Sequence, residues 1–140
     1  VGISINANVD PVKKLARQLR KADPVVAKKL RGGVKEAGEL VADRARELSS
    51  FSTKIPGTIR TRAVATTVTI VAGNDKVPQA ALFERATGWR HPLFGNKKHW
   101  YDEGPRRFLQ PALDDKAVEA QRKIIDAVME AVDEVMDTGE

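Results

Sequence analysis

The chain has 140 residues, of which 41% are hydrophobic and 31% charged, with a net charge of +5 at pH 7 and no cysteine. That length suits one domain with extensions, and the lack of cysteine excludes a disulfide framework, a thiol nucleophile and a cysteine-ligated metal. No stretch approaches the roughly 18 apolar residues of a membrane span, and the start VGISINANVD has neither a basic lead nor an apolar signal core, so the expectation is a soluble, non-exported protein with no membrane partner that has lost its initiator Met.

Gly2 to Val9 alternates, with Ile3, Ile5, Ala7 and Val9 on one side, and predicts a half-buried strand. Asp10-Pro11 then supplies an N-cap and a first-turn proline for a short helix carrying Leu15 and Leu19. Asp23-Pro24 repeats that start signal, and Val26, Leu30, Val34, Ala37, Val41, Ala45 and Leu48 follow at helical spacing to about Leu48. Gly32, Gly33 and Gly38 weaken this helix by about 1 kcal/mol each against Ala, or mark where another element crosses it.

Ser49 to Gly57 reads as a linker. Thr58 to Val64 and Thr66 to Ala72 are rich in β-branched residues and predict a hairpin, the second strand alternating Val68, Ile70 and Ala72 against Thr67, Thr69 and Val71. Gly73-Asn74-Asp75 ends it as a turn, and Gln79 to Ala86 suits a short helix or a strand. From Thr87 to Arg107, Gly and Pro recur too often for a long element and aromatics too often for disorder, so an ordered loop or extended arm is expected. A final helix begins at Leu113 with Asp114 as its cap, and Val118, Ile125, Val128, Val132 and Val135 form one apolar stripe that must lie on the sheet or on a partner. The fold class expected is α+β: a small antiparallel sheet packed by a long N-terminal helix and a C-terminal amphipathic helix. It forms one domain over 1–140, with strand and helices in 1–50, strands and aromatic arm in 51–112 and an acidic helix in 113–137.

Charge divides the chain. Residues 1–50 carry 11 basic and 6 acidic side chains, residues 51–113 carry 10 and 4, and residues 114–140 carry 3 and 9. An acidic helix beside a basic body pairs with a neighbouring copy of that body as readily as it repels nucleic acid from one side.

Val77 to Leu113 holds three of the four Phe, both Trp, the only Tyr and both His. Aromatics concentrated in one loop-rich stretch mark a contact surface, and no catalytic pattern accompanies them. His91 and His99 lack a metal-ligand spacing, Gly32-Gly33 lacks the context of a phosphate loop, and Asp102-Glu103 and Asp114-Asp115 diverge as sequence neighbours. No catalytic residue, cofactor or metal is expected, and the chain is not read as an enzyme. Arg85, Arg90, Lys97, Lys98, Arg106 and Arg107 among the aromatics suit either nucleic-acid phosphates or the rim of a protein interface, and the interface is favoured because no nucleic-acid module accompanies them.

The order of motifs resembles the neck protein family of long-tailed bacteriophages, also described as tail-component, tail-completion or head-tail connector proteins. Its Tyr-Ala-x-x-Val-Glu-Phe-Gly-Thr-like stretch is matched by Ala80, Ala81, Phe83, Glu84, Thr87 and Gly88, with Arg85-Ala86 in place of Phe-Gly. Its Pro-x-x-Phe-Leu-x-Pro-Ala-Leu-like stretch is matched by Pro105, Phe108, Leu109, Pro111, Ala112 and Leu113. GWRHPLFGNKKHWY is similar to the insertion in versions from phages of actinobacteria.

The resemblance implies a virion structural protein without catalysis, in the phage neck or tail and in the host cytoplasm during assembly. It forms a ring, six-fold in the family, that joins head to tail around the DNA channel, next to a head-completion or connector ring and to tail-tube or tail-terminator proteins. Double-stranded DNA passes through without sequence-specific binding. The nearest variant is a tail terminator capping the tube, and a more distant one is a basic DNA-binding protein. On this reading Trp89, His91, Pro92, Phe94, Trp100 and Tyr101 form the subunit contact; Ala81, Phe83, Glu84, Pro105, Phe108, Leu109, Pro111 and Ala112 form the framework; Lys97, Lys98, Arg106 and Arg107 are candidate contacts with DNA.

Overall fold

A computed structural model of the chain describes residues 1–6, 10–85, 89–93, 96–103 and 106–138. The element order is β1 (Gly2–Asn6), α1 (Asp10–Ala22), α2 (Pro24–Leu48), a 3-10 turn (Pro56–Thr58), β2 (Arg60–Val64), β3 (Thr67–Val71), α3 (Gln79–Glu84), β4 (Trp89–Leu93), β5 (Asn96–Glu103) and α4 (Leu109–Thr138). The class is mixed helix and sheet, as the patterning predicts.

Both Asp-Pro signals stand at helix starts, α1 beginning at Asp10 itself and α2 at Pro24, and the second acts as read. Asp23 takes an extended conformation and its carboxylate accepts the Val25 N–H at 2.9 Å, with Pro24 at a position that has no intrahelical donor to lose. One antiparallel sheet has the order β1-β3-β2, so the most apolar strand is central. The register pairs Ile5 and Ala63 with Val68, and Ile3 and Thr61 with Ile70, placing these side chains on one face. Val68 and Ile70 are fully buried there, while Thr67, Thr69 and Val71 are half-buried on the other face. The β2–β3 turn puts Ala65 at φ +56, a left-handed conformation unusual for a residue with a Cβ.

Helices α2 and α4 cover the apolar face. Helix α2 crosses β2 and β3, α4 lies along α2 and reaches β1, and α1 closes the end against both helices. Two of the three helical glycines are crossing points. A Cβ on Gly33 would lie 2.6 Å from the Cβ of Ala127 in α4, and one on Gly38 would overlap Val68 of β3; Gly32 faces open space. Leu30, Val34, Val41, Ile124, Val128, Phe108 and Leu109 fill the space between the layers.

Two boundaries and one helix face differ from expectation. The linker, though largely exposed, is anchored by two buried residues, Ser49 and Ile55, and the Thr58 hydroxyl donates to the Ile55 carbonyl at 2.7 Å and accepts the Gly73 N–H at 2.8 Å, delaying β2 to Arg60. Helix α4 begins at Leu109, with Asp114 inside it, because its cap comes from elsewhere in the chain. The buried stripe of α4 is Ala120, Ile124, Val128 and Ala131; Val118 is 75% exposed, and Ile125, Val132 and Val135 are only partly covered. Ala7 and Val9, expected to extend β1, lie outside the described residues.

Candidate assembly interface

Two segments far apart in sequence meet at Glu84. Helix α3 ends on this residue, which is only 8% exposed, and its carboxylate points at the start of α4. Oε2 accepts the N–H of Phe108 at 2.8 Å and of Leu109 at 3.0 Å, and Oε1 accepts that of Gln110 at 2.9 Å. A helix start has unpaired N–H groups and a partial positive charge, so one buried carboxylate satisfies three donors and the dipole together. Pro111, also in the first turn, has no N–H to leave unpaired. The Arg107 Nε completes the joint, donating to the Glu84 carbonyl at 3.1 Å and lying 3.6 Å from Oε1.

A second layer surrounds it. The Arg106 N–H donates to the Phe83 carbonyl at 3.2 Å, the Phe83 and Phe51 rings meet edge to face with centroids 5.1 Å apart, and the Arg106 guanidinium lies 5.3 Å from the Phe51 centroid. The described residues on either side of the intervening segment, Phe83 to Arg85 and Arg106 to Phe108, therefore meet at one joint.

Between those ends the chain forms a hairpin rather than a loop. Strands β4 and β5 pair Trp89 with Glu103, Arg90 with Asp102, His91 with Tyr101 and Pro92 with Trp100, after which the register shifts so that Leu93 pairs with Asn96. Lys97, Lys98 and His99 have no β4 partner in this register. Each strand of a two-stranded ribbon is an edge, which is why Pro92 is tolerated inside β4. Five of the six residues expected at the subunit contact thus lie on one ribbon; Phe94 lies outside the described residues, as do Thr87, Gly88 and Pro105.

The framework residues gather as a group. Phe108, Leu109 and Ala112 are fully buried, Pro111 and Phe83 half-buried and Glu84 buried, whereas Ala81 is exposed and its neighbour Ala80 takes the core position. The four basic residues named for DNA divide, since Lys97 and Lys98 fall in the irregular part of β5 while Arg106 and Arg107 hold the joint. Sequence reading missed Phe51, which sits in the apparent linker, and the capping role of Glu84, for which the order of the motifs is the sole signal.

Ion pairs secure the helices around this centre. Arg44 of α2 bonds Asp115 of α4 at 2.9 Å and Glu47 at 2.9 Å; these partners, led by the hydrogen bond to Asp115, raise its pKa above the ordinary guanidinium value. Arg46 reaches the Ile59 carbonyl at 2.8 Å, and Glu39 accepts the Thr61 hydroxyl at 2.8 Å, tying α2 to β2. Lys29 bonds Glu134 at 2.6 Å near the other end of α4. Among the described residues no group of three or more His, Asp or Glu gathers as metal ligands, and no helix is long and apolar enough to cross a membrane. Compared with protein-family models, curated proteins and solved structures, the chain matches none.

Proposed function

We propose that the chain is a structural protein of the phage neck, forming a ring around the DNA channel that joins head to tail. The observation that carries this reading is the joint at Glu84. The two stretches that resemble the neck family are 24 residues apart from Glu84 to Phe108, and they meet in one buried hydrogen-bonded cluster. The aromatic hairpin lies in sequence between the two sides of that cluster, and Arg106 and Arg107 tie its far end back to Phe83 and Glu84, as suits the base of an arm reaching a neighbouring subunit or the next ring. Ring subunits also need unlike faces that meet in a closed head-to-tail series. A basic body, an acidic final helix and an aromatic ribbon supply them.

Deleting Lys97 to Tyr101 should abolish joining of heads to tails while the isolated chain still folds. Infectious particles assembled at normal yield from that variant would refute the reading. The tail-terminator variant is separated by location: a joining ring stays on tailless heads or at the junction, and a terminator stays on headless tails.

A further inference from the structure

Two rows of unanswered charge lie on the outer faces of α1 and α4. Residues 11–22 contain five basic and no acidic side chains, and residues 124–138 contain five acidic and no basic ones. On α1, Lys14, Arg17 and Lys21 are exposed at spacings of three and four, one ridge of the helix. On α4, Asp126, Glu130 and Asp133 are exposed at spacings of four and three, with the same seven-residue span. The ion pairs of the described residues use Asp115, Glu119 and Glu134 of α4 and none of these six side chains, although α1 and α4 touch through their inner faces.

The last turn of α4, which follows the row, holds no basic residue to answer it. Beside the row runs the outer apolar stripe, where Met129 is 48% and Met136 71% exposed. The facing surface that answers both is a ridge of cations on long methylene stems, with ammonium and guanidinium groups for the carboxylates and stems for the methionines.

We infer that the Lys14–Arg17–Lys21 ridge of one copy docks on the Asp126–Glu130–Asp133 row of the next, as the head-to-tail contact of the assembly. A nucleic-acid backbone would answer the α1 ridge but leave the α4 row and its stripe uncovered, whereas a second copy answers both. The inference rests on the ring reading, since copies must meet.

The test uses three full-length chains in sedimentation velocity at low salt and at about 1 M salt, where charges are screened within about 3 Å. Wild type should assemble at low salt and dissociate at high salt. K14E/R17E/K21E and D126K/E130K/D133K should each lose assembly, with association weakened about tenfold or more. Mixed in equal amounts the two should assemble again, in strict alternation, because each supplies the charge the other now needs. R17E and D133K, treated in the same way, replace the triple variants if those melt below wild type.

Assembly of wild type together with unchanged assembly of the α1 variant, or with no recovery in the mixture, overturns this contact and leaves the ring reading standing. An α1 variant that assembles normally but loses salt-sensitive retention on duplex DNA overturns it in favour of a nucleic-acid surface. A wild-type chain that stays monomeric at every concentration and salt overturns the ring reading itself.

Discussion

Glu84 is a single carboxylate on which a helix start, a hairpin base and an arginine depend. Replacing it with Ala leaves three N–H donors without their acceptor in a site that is nearly closed to water. At about 1–3 kcal/mol for each buried donor, partly relieved by water entry, the expected loss is about 3 kcal/mol, or about 10 °C in melting temperature. Glu84→Gln keeps one oxygen acceptor and should lose about half as much. Thermal unfolding followed by circular dichroism measures both, and an unchanged midpoint for Glu84→Ala would remove the cap from this account. Local pattern could not show the cap, since Asp114 looks like a helix start and the true acceptor comes from another element. The Asp23 cap was legible for the opposite reason: donor and acceptor lie two residues apart.

At the scale of elements, the glycines of α2 separate intrinsic propensity from packing. Gly32→Ala meets open space and should stabilise by up to about 1 kcal/mol. Gly33→Ala drives a methyl against Ala127, and Gly38→Ala against the fully buried Val68, so both should destabilise despite the same propensity gain, Gly38→Ala by about 1–3 kcal/mol. Urea unfolding of the three variants should rank them Gly32→Ala, Gly33→Ala, Gly38→Ala from most to least stable. A double-mutant cycle of Gly38→Ala with Val68→Ala should show coupling of the sign that relieves the overlap; independent effects would place the helix elsewhere on the sheet. The spacing of apolar residues was enough to place α2 and β3. It was not enough for α4, which carries two apolar stripes: Ala120, Ile124, Val128 and Ala131 face inward, and Val118 and Met129 face out. Periodicity reports that a stripe exists, and only the volume left by α2 and the sheet decides which one is buried.

For the whole molecule, the expectation is that the arm and the body are separable in energy. The core lies between α2, α4 and β1-β3-β2, and the ends of the arm are held together by the Arg106 bond to Phe83 at 3.2 Å. Replacing residues 89–103 with a short Gly-Ser loop should therefore leave the melting temperature within a few degrees of wild type, because closing a loop between ends already in contact costs little. A collapse of cooperative unfolding in that variant would mean that the hairpin belongs to the folding unit. The ribbon itself was only partly legible in sequence, since Pro92 and the register shift at Leu93 break the alternation that marks a strand.

The common exit and entry of the arm also have a consequence for how such a chain can change. Because Phe83 and Glu84 on one side hold Arg106 and Arg107 on the other, the joint closes the base of the hairpin whatever its length, so hairpins of other lengths and compositions should be accommodated between Arg85 and Arg106 as interchangeable cassettes. If the ribbon is the assembly arm proposed above, partner choice becomes a heritable accessory, exchanged while the scaffold beneath it stays the same.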